Sequence, residues 1–68
     1  MENKLELIKE VKSKINNRIY RVQKLVVEGL NHYIIDYKVD FGYRYCNSTY
    51  SKKEMENNFF ILLNQKLY

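Results

Sequence analysis

The stretch Tyr50-Ser51-Lys52-Lys53-Glu54-Met55 holds the residues best placed to do chemistry. Ser51 and Glu54 have the S-x-x-E spacing of a capping box, in which the serine hydroxyl accepts from the Glu54 N–H and the glutamate reaches back to the serine N–H. That spacing starts a helix at Lys52. Two ammonium groups in a first helical turn oppose the helix dipole by roughly 0.3–1 kcal/mol each in water. A bound anion reverses the sign, because the free N–H groups, the dipole, Lys52 and Lys53 then converge on one phosphate. On local sequence alone, two solvated lysines are the favoured reading.

Other reactive side chains are sparse. His32 is the only histidine and Cys46 the only cysteine, so a protein-only zinc site and an internal disulfide are both excluded. Catalysis would need His32 as base and Ser48, Ser51 or Cys46 as nucleophile, with no glycine-rich loop to cradle a phosphate. Asp36 and Asp40 alternate with Lys38 and read as a solvated strand face. The expectation is a chain that is not an enzyme, with no cofactor, no metal and no small-molecule substrate. The net charge of +4 permits a polyanionic partner without demanding one. No apolar run is long enough to span a bilayer, and a lone cysteine fits a reducing, cytoplasmic setting. At 68 residues, with 46% apolar, the chain is expected to form a single domain over 1–68.

These residues need elements to hold them. Glu2–Asn16 has apolar residues at Leu5, Leu7, Ile8, Val11 and Ile15, and positions 4, 8, 11 and 15 recur at helical spacing with Lys4 spoiling the first, which predicts a helix over about residues 3–16, stopped by Asn16-Asn17. Arg18–Gly29 is rich in β-branched residues and reads as a first strand, although a single long helix ending at Gly29 would also match the seven-residue spacing of Ile8, Ile15 and Val22. Tyr33, Ile35, Tyr37, Val39, Phe41, Tyr43 and Tyr45 alternate with mostly polar residues, which predicts two further strands split at Gly42, with one aromatic face. After Ser51, a second helix presents Met55, Phe59, Leu62 and Leu63, with Phe60 and Leu67 widening the stripe and Tyr50 stapled to Met55. The expected fold is α+β, in the order α-β-β-β-α. Two helices pack on one face of a three-stranded antiparallel sheet.

That order resembles the double-stranded RNA-binding domain over nearly the whole chain. Ser51-Lys52-Lys53 resembles the family's phosphate-binding lysines at the start of the second helix. Gly29-Leu30-Asn31-His32 resembles its Gly-Pro-x-His loop, with Leu30 in place of proline. Leu7-Ile8-Lys9-Glu10 resembles its Leu-Leu-x-Glu, and Glu56 stands where a third lysine is common. The resemblance implies recognition of A-form duplex over ~16 base pairs by shape. Glu10, aided by Glu6 and Lys9, would meet one minor groove. Asn31 and His32 would meet the next, and Lys52 and Lys53 the phosphates between. The alternative is a protein-interaction or dimerisation module using the same fold, motivated by the apolar surface of Phe59, Phe60 and Ile61; a small phage-encoded inhibitor is the third reading.

Overall fold

The computed structural model describes residues 4–67. In chain order they form β1 (Leu5–Lys12), β2 (Ile19–Val27), β3 (Leu30–Val39), β4 (Gly42–Thr49) and α1 (Lys52–Leu63). The strands make one antiparallel meander in the order β1-β2-β3-β4, and α1 lies across one face of it. The expected α-β-β-β-α order is thereby corrected to β-β-β-β-α. The segment expected as the first helix is a strand, so among the described residues the sheet has four strands and a single helix covers it.

A bulge explains the misleading period of β1. Its register shifts between Leu7 and Lys9, leaving Ile8 without a direct partner on β2. Leu5 and Leu7 alternate before that extra residue and Lys9 and Val11 after it. The inserted residue breaks the period of two and leaves Ile8, Val11 and Ile15 at spacings of three and four, which imitate a helix stripe. Burial gives the same answer, because Leu5, Ile8, Val11 and Ile15 are all exposed, at 51%, 40%, 39% and 50%.

The connections account for the rest of the register. Asn16 and Asn17 belong to a loop that Ser13 organises, with Asn17 at φ 65°. The Ser13 N–H donates to the Arg18 carbonyl at 2.8 Å. The Ser13 hydroxyl accepts from the N–H groups of Ile15 and Asn16, each at 3.1 Å, and donates to the Leu63 carbonyl at 2.6 Å. Asn16 Nδ2 donates to the carbonyls of Leu62 and Gln65 at 3.1 and 2.8 Å. The loop therefore supplies donors to the Leu62 and Leu63 carbonyls at the end of α1, whose last turn has no basic residue.

Between β2 and β3, Glu28 and Gly29 both have positive φ, 51° and 78°, the geometry of a two-residue type I′ turn. Leu30, Asn31 and His32 are consequently strand residues and not the loop expected from the Gly29–His32 motif. Between β3 and β4, Val39 pairs with Gly42, whose φ of 116° takes up the turn. That two-residue loop pairs odd positions of β3 with even positions of β4, so Tyr43 and Tyr45 face away from Tyr33, Ile35 and Tyr37. The expected continuous aromatic face thus divides between the two sides. A second bulge at Cys46 returns Asn47 and Thr49 to the helix side.

The core is small. Tyr20 and Val22 of β2, Tyr33 and Ile35 of β3, and Met55 and Phe59 of α1 are buried. Leu62, Leu63, Tyr37 and Cys46 pack around them. Asn58 Nδ2 donates to Asn47 Oδ1 at 2.8 Å and pins α1 to β4. The shortest dimension, 16 Å, is that of one sheet with one helix on it, so among the described residues the far side of the sheet has no covering layer.

Candidate functional site

The helix start is built largely as its sequence predicts. Ser51 is the N-cap, and its hydroxyl accepts from the Glu54 N–H at 3.2 Å. The reciprocal half of the capping box is absent, because the Ser51 N–H donates instead to Thr49 Oγ1 at 3.1 Å. Lys52 and Lys53 follow, both exposed. Met55 is buried, while Tyr50 is 63% exposed and stacks on His32 with ring centroids 4.6 Å apart. Tyr50 therefore braces a strand residue and does not staple the helix.

The remaining RNA-contact candidates are divided between the two sides of the sheet. Glu6 pairs in register with Lys24, and Lys9 with Val22, on the helix side. Glu6 Oε1 lies 3.8 Å from Lys24 Nζ, and Lys9 Nζ lies 4.7 Å from the centre of the Phe59 ring. Asn31 is opposite Val26 and is also on the helix side. Glu10 is opposite Arg21, and His32 is opposite Leu25, both on the uncovered side. From the level of Glu10 to that of His32 is four residues along β2, roughly 13 Å, with two strand spacings of roughly 5 Å each across. Glu10, His32 and Lys52 do not share one edge.

The uncovered face has a polar half and an apolar half. Arg21 Nε and Nη2 bond Asp36 Oδ1 and Oδ2 at 2.7 and 3.1 Å, a bidentate pair. The Arg21 guanidinium lies 3.3 Å from the centre of the Tyr43 ring. Its hydrogen bonds to Asp36 raise its pKa, against the opposing effect of desolvation. Tyr45, opposite Asp36 in the ladder, shares a 2.8 Å hydrogen bond with Ser48. Together these groups hold one another, which makes the cluster a structural clasp across three strands. Nearer the β2–β3 turn, Leu5, Leu7 and Leu30 are exposed beside Leu25 and Ile34.

A second apolar surface runs along the sheet edge. β1 pairs only with β2 among the described residues, so its other edge is open. Beside that edge, Val11, Ile15, Phe60 and Leu63, together with Lys12 and Lys14, line a groove of about 390 Å³. Phe60 and Ile61 are 67% and 62% exposed. Of the three residues read as excess apolar surface of α1, Phe60 and Ile61 are exposed and Phe59 is core; the part played by Val11 and Ile15 is hidden by the helical reading of β1.

Cys46 is half-buried, and burial pushes its thiol pKa up despite the opposing influence of Arg18, so the thiolate is disfavoured. Among the described residues, no three His, Cys, Asp or Glu side chains gather to hold a metal ion. No described helix is long and apolar enough to cross a membrane. No protein-family model, curated protein or solved structure matches the chain.

Proposed function

We propose that the chain is a non-catalytic protein-interaction module that docks through the strip formed by the free edge of β1 and the outer side of α1. The observation carrying this reading is the groove of Val11, Ile15, Phe60 and Leu63 beside unpaired strand backbone. Apolar side chains would supply burial to a partner, and the open ladder would supply direction and register. Phe60→Asp removes apolar surface at an exposed position without touching the core, so the fold should survive. The reading expects Phe60→Asp to abolish a specific protein association that Lys52→Ala with Lys53→Ala leaves intact. Association unchanged by Phe60→Asp, measured by pull-down and sedimentation, would overturn it.

Duplex RNA is the second reading. It is supported by the exposed Lys52 and Lys53 at a capped helix start, with the chain's net charge of +4. The division of Glu10, His32 and the lysines argues against simultaneous contact through all three patches. Titration with a duplex RNA and the equivalent DNA tests it. The reading requires an RNA preference that the double-lysine variant loses and that weakens with salt.

A further inference from the structure

From the free edge of β1, we infer that the partner is a second copy of this chain, paired antiparallel to β1 about a two-fold axis at Val11. The inference rests on the protein-interaction reading and names its partner. The backbone first limits the register. The Ser13 N–H bonds the Arg18 carbonyl across the β1–β2 ladder, and Val11 pairs with Tyr20 two residues earlier. Antiparallel ladders alternate, so the Val11 backbone groups also point at β2, while those of Glu10 and Lys12 point outward along the free edge.

A two-fold axis perpendicular to the sheet keeps both helices on one side and makes each residue at the axis face itself. The regular part of β1 after its bulge is Lys9–Lys12. Centring the axis on Lys9, Glu10 or Lys12 opposes two like charges. Centring it on Val11 opposes valine with valine and sets Glu10 of each copy against Lys12 of the other. In that register Glu10 and Lys12 also exchange the outward backbone hydrogen bonds, and Val11 forms the close, non-hydrogen-bonded pair. Val11 is on the helix side, opposite buried Tyr20, so the Val11, Ile15 and Phe60 strips of the two copies abut. The products are a continuous eight-stranded sheet and a covered pair of grooves.

Charge reversal tests the register. Glu10→Lys alone and Lys12→Glu alone each turn two complementary cross-strand pairs into two like-charge pairs. Each should weaken the dimer by about tenfold or more in sedimentation equilibrium. The doubly reversed chain should recover dimerisation, and mixing the two single variants should give a heterodimer, while circular dichroism confirms that each variant is folded. Val11→Cys in a Cys46→Ser background should form a disulfide-linked dimer on oxidation, because close antiparallel pairs bring Cα atoms within disulfide reach. A chain that stays monomeric up to millimolar concentration overturns the inference, as does a dimer indifferent to both single reversals. If the chain is monomeric and Phe60→Asp still abolishes binding to a different protein, the interaction reading stands and the second copy is excluded.

Discussion

Replacing Ser13 by alanine separates the sheet described above from the helix expected over about residues 3–16. Ser13 is 2% exposed. Its hydroxyl makes three hydrogen bonds, to the Ile15 and Asn16 N–H groups and to the Leu63 carbonyl. At about 1 kcal/mol net for each bond, with more where a partner is left buried and unpaired, Ser13→Ala should cost roughly 2–3 kcal/mol. The whole domain is worth roughly 3–10 kcal/mol at about 0.05–0.15 kcal/mol per residue. Urea unfolding followed by circular dichroism reads the change directly. With a slope of about 1 kcal/mol/M, the midpoint should fall by roughly 2–3 M. In a solvated helix the same substitution would stabilise by up to about 0.5 kcal/mol, because alanine is the better helix former. A midpoint that stays put or rises would refute both the loop and its grip on the end of α1.

Three other substitutions probe the core and the clasp. The Tyr20 hydroxyl is buried with no hydrogen-bond partner among the described residues, so Tyr20→Phe should raise stability by roughly 1 kcal/mol in urea unfolding; a loss would mean that the hydroxyl is bonded after all. Asp36→Asn breaks a bidentate pair whose side chains are 22% and 12% exposed, and should cost roughly 1–3 kcal/mol; a change within experimental error would reduce the clasp to surface decoration. Burial raises the Cys46 pKa from its ordinary 9.0, so the folded chain holds the thiol proton to higher pH than the unfolded chain. Stability should therefore fall as pH rises above about 9, and Cys46→Ser should remove that part of the slope. The same cause predicts slower thiol labelling at pH 8 in the folded chain than in urea, and equal rates would contradict it.

What could be read from sequence depended on how local each signal was. Ser51 and Glu54 are three residues apart, and the helix begins where they place it because capping is decided within one turn. The β-branched run of β2 and the alternation from Tyr33 to Val39 are likewise local, and both are strands. The first segment failed because Ile8 is an extra residue in a ladder whose partner, β2, is reached only after the loop at residues 13–18. Lys, Glu and Leu favour a helix in isolation, and cross-strand pairing outweighs that preference. Alternation alone puts Tyr43 and Tyr45 on the face of Tyr33 to Tyr37, whereas the parity of β4 depends on counting a two-residue loop that alternation does not reveal. The proposed RNA contacts depended on a helix at Glu6–Glu10 and a loop at Asn31–His32. Once both became strand, alternation sent neighbouring residues to opposite sides.

Amide hydrogen exchange along β1, followed residue by residue at low and high protein concentration, tests the central claim most directly. The account predicts that the Lys9 and Val11 amides, which point at β2, are protected at every concentration. It predicts that the Glu10 and Lys12 amides exchange freely in dilute solution and become protected as the second copy docks. Fast exchange at Glu10 and Lys12 throughout would contradict the paired edge. Equal protection of all four in dilute solution would contradict the edge strand itself.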